Sequence, residues 1–162
     1  MRQIVKENIE KNGKEMVFVH VHNGGRLLNR VEKAFIETNE ASLRSYQIFN
    51  CDDSYTHTYE DFLEYFKSHK SGYFVAYRDS IAAAISNAAS ESGLRIPEDI
   101  EILSIVGTKY ANILRPKISS MMIDFAQVGR RAMNMLSDLY DDVLTEKVSK
   151  FEAKLIKRDT TL

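Results

Sequence analysis

The sequence contains one cysteine, no tryptophan and two prolines among its 162 residues. Because Cys51 is alone, no disulfide can form within the chain, and a reducing cytoplasm is the simplest compartment to expect. No apolar run reaches the roughly eighteen residues that a membrane-spanning helix needs. The charged N-terminal stretch does not have the pattern of a secretory signal. The sequence therefore predicts a cytoplasmic protein without a membrane contact.

The chain also lacks an excess of charge of either sign. Its 22 basic and 23 acidic residues give a formal net charge of −1. A surface that binds nucleic acid directly is typically strongly basic, so this balance argues against direct contact with DNA or RNA. With 44% hydrophobic residues, the chain is long enough to enclose one core, which indicates a single domain.

What the sequence does contain is an alternation of apolar runs with helical patterns. Apolar runs typical of strands lie at residues 16–22, 42–50, 73–77, 99–107, 118–124 and within 151–162. Helical spacing occurs at residues 3–12, about 26–39, from a capping Thr58 to about Lys70, and at 80–92 and 125–144. Strands separated by helices of this length require parallel crossovers. The prediction is an α/β fold: a three-layer α/β/α, Rossmann-like parallel sheet.

In such sheets, ligands bind at the loops that follow the carboxyl ends of the strands. One of these loops carries Arg78 and Asp79, directly between a strand and a helix. Two interpretations of Asp79 are compatible: it caps the helix, which is favoured, or it accepts a hydrogen bond from a ligand. For Arg78 the alternative is a solvated surface charge.

Other candidate groups give weaker signals. His20 and His22 share one strand face, but no third ligand follows at a fixed spacing, so no metal or other cofactor is predicted. The turn at 23–25 could hold an anion, although a plain turn is favoured. A small α/β enzyme that uses Asp79 with His20 or His22 as acid and base stays an alternative, yet no constellation of residues argues for catalysis.

Several segments together resemble one family. They are YFVAYRD at 73–79, SGLRIPEDIEIL at 92–103, RPKISSMMIDFAQVGRRAMNMLSDLY at 115–140 and LIKRDTT at 155–161. Their motifs and order are similar to the C-terminal half of the lactose/galactose-repressor (LacI/GalR) family of transcriptional regulators. The resemblance is strong at 73–140 and weak at 1–50.

The resemblance implies one lobe of a type I periplasmic-binding-protein-like effector domain over residues 1–162. In that family two lobes clamp a small molecule, usually a sugar or a nucleobase-type metabolite. Segment 119–145 would then be a crossover and helix of the partner lobe. The ligand-binding residues that we expect, from the resemblance and from the strand-end loops, are Asp79, Arg78, Arg26, Arg30, His22 and Tyr110. The family's usual Asp is replaced at Val106, and Ile123 stands where a polar contact can occur.

Function and partners follow as expectations from the same resemblance. The chain would be the effector-binding and dimerisation part of a non-enzymatic repressor-type regulator. A homodimer is expected, and operator DNA would be bound only through a helix-turn-helix domain absent from this chain. Alternatives are a solute-binding protein of a sugar transporter and a lobe kept for dimerisation without ligand binding. We expect the apolar stripe of 125–144 to dock on this chain's own sheet or to be exchanged with a second copy.

Overall fold

The computed structural model of the chain describes residues 1–11, 13–22, 25–143 and 148–162. Within these residues the strands form one six-stranded sheet with the order β2-β1-β3-β4-β5-β6. The strands are β1 Met16–Val21, β2 Tyr46–Cys51, β3 Gly72–Ala76, β4 Ile100–Ser104, β5 Ser119–Met122 and β6 Lys154–Ile156. The helices are α1 Arg2–Lys11, α2 Gly25–Ala41, α3 Tyr55–Ser68, α4 Asp79–Glu91, α5 Tyr110–Ile113 and α6 Phe125–Tyr140.

The sheet is parallel from β2 to β5, and only the last pair, β5 with β6, is antiparallel. Strands β1, β3 and β4 are buried along their whole length. Near-continuous apolar strands are typical of parallel sheets covered on both faces, because helices exclude water from each side. The predicted α/β fold with a Rossmann-like sheet is confirmed, with the antiparallel β6 as an addition at one edge.

The helices that connect the strands cover the two faces of the sheet. Right-handed crossovers place α2 on one face and α3 with α4 on the other. The contacts agree with this arrangement, since α1 packs with α2 and α3 packs with α4. The core between these layers contains fully buried aromatic side chains, among them Phe18, Phe35, Phe62 and Phe74.

Among the predicted boundaries that differ from the structure, two have clear local reasons. The strand predicted to start at residue 42 starts at Tyr46, because Leu43 lies in the turn after α2 with a positive φ of 50°. The predicted cap Thr58 lies inside α3, where it is buried and its hydroxyl donates to the carbonyl of Asp52. The N-cap is Ser54, whose side chain accepts a hydrogen bond from the backbone N–H of His57. The cap prediction was therefore wrong by one helical turn.

Helix α6 does not dock on the sheet of its own chain. None of its residues is buried, and Met133, Leu136 and Leu139 are each more than 60% exposed. Strands β5 and β6 run in opposite directions, so they lead the chain away from the sheet edge and back again. The first expected alternative, docking on the chain's own sheet, was therefore wrong, and exchange with a second copy stays a prediction. The predicted end of this helix at residue 144 lies outside the described residues.

Among the residues that the structure describes, none of the helices combines the length and the apolar character that a membrane span needs.

Candidate functional site

The carboxyl ends of β1 to β4 meet along one edge of the sheet. The strand register pairs Val21 with Cys51, Val19 with Ala76, and Ala76 with Ser104. The loops that leave these four strands therefore lie side by side. This is the edge at which parallel α/β sheets bind ligands.

Asp79 is the first residue of α4, and its carboxylate points toward the loop after β4. Its Oδ2 accepts a hydrogen bond from the backbone N–H of Thr108 at 2.6 Å and another from the Thr108 hydroxyl at 2.7 Å. The N-cap position of α4 belongs to Arg78, which makes no side-chain cap bond. The predicted capping role of Asp79 was wrong, because this residue lies one position too far along the chain to reach the free N–H groups in the N-cap manner.

The second carboxylate oxygen of Asp79 has no partner. Asp79 is only 5% exposed, and its Oδ1 is buried without a hydrogen-bond partner in the described part of the chain. A buried acceptor without a partner carries a desolvation cost of roughly 1–3 kcal/mol. A hydrogen-bond donor placed against Oδ1 would remove that cost.

Arg78 is held by the neighbouring loop. Its Nη1 donates to both carboxylate oxygens of Asp53, each at 2.7 Å, and its guanidinium lies 5.7 Å from the ring centre of Tyr77. Both partners of the ion pair are about half exposed. The pair therefore ties the loop after β2 to the loop after β3 at the rim of the edge. Sequence reasoning did not assign this role to Asp53.

The remaining predicted residues lie at separate places. His22 lines a polar cavity of about 410 Å³ between β1, β2 and α2. Arg30 lines an apolar cavity of about 300 Å³. Arg26 is exposed in the first turn of α2, and Tyr110 is 57% exposed with Lys109 above its ring. Arg78 and Asp79 are adjacent in the chain but bond to different loops, and the structure does not bring the predicted residues into a single cavity.

The two apolar replacements noted in the sequence share one cavity. Val106 and Ile123 both line the apolar cavity that contains Arg30. The loop that carries Val106 is held close to β5, since the N–H of Gly107 donates to the carbonyl of Met121 at 2.9 Å. A Cβ at Gly107 would come within 2.8 Å of the Cβ of Ser120, so this approach requires glycine.

Thr108 is the site residue that sequence reasoning missed. It belongs to the loop after β4, and only the three-dimensional structure shows that its hydroxyl and N–H both reach Asp79. The signal that the sequence offered for Thr108 was a hydroxyl residue directly after Gly107.

Cys51 contacts the backbone of His20. The Cys51 thiol is buried and donates to the carbonyl of His20, and burial raises the pKa of this thiol. Residues 1–11, 13–22, 25–143 and 148–162 contain no group of three His, Cys, Asp or Glu side chains that could hold a metal ion.

A family model described as a periplasmic binding protein-like domain matches residues 6–161. Two curated relatives are named as a transcriptional regulator and as a catabolite control protein. The HTH-type transcriptional regulator pepR1 of Lactobacillus delbrueckii subsp. lactis is 30% identical over 79% of this chain and 38% of its own length. Catabolite control protein A of Staphylococcus xylosus is 27% identical over 84% of this chain and 42% of its own length. The chain therefore spans about two fifths of these relatives.

The fold is also found in a solved regulator. A LacI family transcriptional regulator from Arthrobacter sp. FB24, in complex with lactose, superimposes with a TM-score of 0.84 at 20% identity. The match covers 99% of this chain and 62% of the regulator. Together these similarities confirm the resemblance to repressor-family regulators that the motifs at 73–161 indicated.

Proposed function

The chain belongs to the periplasmic binding protein-like domain family, and from this premise we propose that it is an effector-binding lobe of a LacI-type transcriptional regulator. In this proposal it binds a small molecule such as a sugar, works in the cytoplasm and catalyses no reaction. The observation that carries the proposal is the buried Asp79 carboxylate, whose Oδ1 has no partner in the described residues at the ligand-binding edge of the sheet.

Asp79 would accept a hydrogen bond from the effector. A carboxylate offers two acceptor oxygens, and here Oδ2 is occupied by Thr108 while Oδ1 is not. Thr108 therefore acts as the group that orients the carboxylate. Hydrogen bonds to an ionised acceptor are stronger than neutral ones, so one ligand hydroxyl at Oδ1 would contribute substantially to affinity.

The other predicted residues would surround this contact. Arg78, fixed by Asp53, would form the rim of the site at the β3 end. Arg26, Arg30, His22 and Tyr110 would complete the site only if a second lobe closed over this edge, since they lie apart in the single lobe. The family clamps its ligand between two lobes in this way.

The first test is a thermal-shift screen of the chain against a panel of monosaccharides and disaccharides that includes lactose. A ligand present at a hundred times its dissociation constant stabilises the folded state by about 2.7 kcal/mol. For a domain of this size, that corresponds to a rise of roughly 5–10 °C in the unfolding temperature. A panel without any shift contradicts sugar binding by this lobe.

The second test compares two variants by calorimetry with the ligand that the screen selects. Asp79→Ala removes the acceptor, and the affinity should fall about ten- to a hundredfold because a charge-assisted hydrogen bond is lost. Thr108→Val removes only the hydroxyl that orients the carboxylate and should weaken binding less than Asp79→Ala does. The contact role is refuted if Asp79→Ala binds the ligand as tightly as the parent chain does.

The segment at 119–145 would serve the partner lobe. In the described part of the segment, α6 buries no residue, and its apolar side chains face solvent. A helix with such a face is stable in water only when another surface covers it. The cover would be a second lobe in a longer regulator, or a second copy of the chain in a homodimer. Operator DNA would be contacted by a separate helix-turn-helix domain.

A lobe that dimerises without binding a ligand is the second candidate. The apolar Val106 and Ile123, which line one cavity where polar ligand contacts were expected, favour it. The sugar screen separates the two candidates, since this second one predicts self-association without any ligand-induced shift.

A further inference from the structure

A polar cavity, from which the effector proposal uses only His22, lies between the ends of β1 and β2 and the first turns of α2. Its volume is about 410 Å³, and its polar side chains are His20, His22, Asn29, Glu32 and Asn50. Among the described residues that line it, Glu32 is the only charged side chain at neutral pH, apart from any charge on the two histidines. The volume lies in the range of small-molecule sites.

His20 is buried at the wall of this cavity with one ring nitrogen unused. Its side chain is 8% exposed. Its Nδ1 lies 3.1 Å from the carbonyl oxygen of Val21, which can only accept, so Nδ1 carries the hydrogen. In the neutral ring Nε2 is then a bare acceptor, and Nε2 is buried without a hydrogen-bond partner in the described chain.

Glu32 places a second acceptor beside this nitrogen. The Oε2 of Glu32 lies 3.8 Å from Nε2 of His20, which is too long for a direct hydrogen bond. Two acceptors at this separation, one of them anionic, fit a single group that donates in more than one direction and carries positive charge. A primary ammonium group has three donors and meets both conditions, whereas a hydroxyl has only one donor.

The residues around the cavity argue against an anion and against a metal ion as the ligand. The N-terminus of α2 would favour an anion, but the Glu32 carboxylate within the cavity repels one. A metal ion is disfavoured because the described residues supply no group of three suitable ligands.

We infer that this cavity binds the amino group of a small primary amine, which His20 Nε2 and Glu32 accept together. This inference does not depend on the effector role of Asp79, because neither Asp79 nor Thr108 lines the cavity.

The protonation of His20 gives the first test. Long-range ¹H–¹⁵N NMR at pH 7.5 reports which ring nitrogen carries a proton in the free protein. We expect the proton on Nδ1, which faces the Val21 carbonyl, and we expect the Nε2 resonance of His20 to move when an amine is added. A ring that is protonated on Nε2 in the free protein would mean that His20 and Glu32 form a structural ion pair, and the inference would be overturned.

Affinity for matched probes gives the second test. Glucosamine, glucose and N-acetylglucosamine differ at one position, where only glucosamine has an ammonium group. Calorimetry should show that glucosamine binds at least tenfold more tightly than the other two, because the lost hydrogen bonds involve a charged group. Equal affinity for the three probes, or no binding of glucosamine, would contradict the inference.

Variants assign the binding to the two acceptors. Glu32→Gln and His20→Phe should each weaken glucosamine binding about ten- to a hundredfold, and the Phe ring can still pack near Phe18, which lies 5.2 Å from the His20 ring. Glu37→Gln is the matched control, because Glu37 is an exposed carboxylate on the same helix and pairs with Lys33. If Glu37→Gln weakens binding as much as Glu32→Gln does, the effect comes from overall charge and the site is wrong.

Discussion

Helices α4 and α6 have similar lengths and similarly regular apolar spacing, but the structure uses them in opposite ways. Nine of the thirteen residues of α4 are buried, whereas none of the sixteen residues of α6 is. Helix α4 packs against α3 and against β4. Helix α6 presents Phe125, Leu136 and Leu139 to solvent.

The comparison shows what helical periodicity can and cannot predict. An apolar stripe predicts which face of a helix must be covered, because exposed apolar area is unfavourable in water. It does not predict whether the cover comes from the same chain. For α4 the small side chains of Ala82, Ala84 and Ala88 allow close contact with the sheet and with α3, while α6 follows an edge strand and leaves the sheet.

The largest expected effect concerns self-association through α6. If two copies cover each other's apolar faces, Leu136→Lys removes one buried Leu per copy. The loss is about 1.5–3 kcal/mol for each copy, and it counts twice in a symmetric dimer. Light scattering after gel filtration should show a dimer for the parent chain and a monomer for the variant.

Asn134→Lys is the control for this comparison, because it adds the same charge on the polar face of α6. It should remain dimeric. A parent chain that is monomeric at all concentrations would show that a second copy does not cover α6.

The next effect compares how much one apolar side chain in α4 and one in α6 contribute to the free energy of unfolding. Ile85 in α4 is fully buried, and Ile85→Ala should lower the free energy of unfolding by about 2–5 kcal/mol. Leu136 is 61% exposed. Leu136→Ala should therefore change the free energy of unfolding by less than about 0.5 kcal/mol, measured at concentrations where the chain is monomeric. Urea denaturation measures both values. Similar losses for the two variants would mean that α6 is packed within the monomer.

The two polar contacts of the candidate site should differ by a smaller amount in what they contribute to the free energy of unfolding. Thr108→Val removes a hydrogen bond to the buried Asp79 carboxylate and should cost about 1.5–3 kcal/mol. Arg78→Met removes the half-exposed ion pair with Asp53, which should contribute only about 0–1 kcal/mol. If the Arg78 variant is the more destabilised in urea, the rim pair stabilises the site more than the buried contact does.

The smallest expected effect is a dependence on pH at the far end of the sheet. The Arg95 guanidinium donates to the Asp99 carboxylate, as does the Arg95 backbone N–H, and these contacts lower the pKa of Asp99 to about 2. Because the folded pKa lies below the ordinary value of about 3.9, the stabilisation is present above pH 4 and is lost as the pH falls toward 2. The unfolding temperature of the parent chain should therefore fall more steeply between pH 4 and 2 than that of Asp99→Asn. If the unfolding temperatures of the parent chain and of Asp99→Asn fall equally steeply between pH 4 and 2, the stabilising role of the Asp99 carboxylate is contradicted.

The sequence predicted local features better than contacts between distant segments. Strands β1, β3 and β4 were predictable because buried parallel strands are continuous apolar runs. The edge at which the strand-end loops meet was also predictable, because parallel strands all run in the same direction. The ion pair of Arg78 with Asp53 and the bonds of Asp79 to Thr108 join residues 25 and 29 positions apart, and no periodic pattern reports such contacts.

The failed predictions have physical causes of the same kind. Asp79 was expected to cap α4, but a residue one position later in the helix turns its carboxylate toward the neighbouring loop. Thr58 has the chemistry of a cap, yet Ser54 occupies the capping position one turn earlier. In both cases the residue type was suitable and the exact start of the helix, which decides the role, was not visible in the sequence.

The most direct test of ligand binding at the Asp79 edge is a map of backbone amide shifts on ¹⁵N-labelled chain during titration with the sugar that the thermal screen selects. We predict that the shifted amides cluster at residues 77–79 and 105–108, at the carboxyl ends of β3 and β4. Shifts confined to the opposite edge, around residues 70–72 and 98–100, or the absence of any saturable shift, would contradict it.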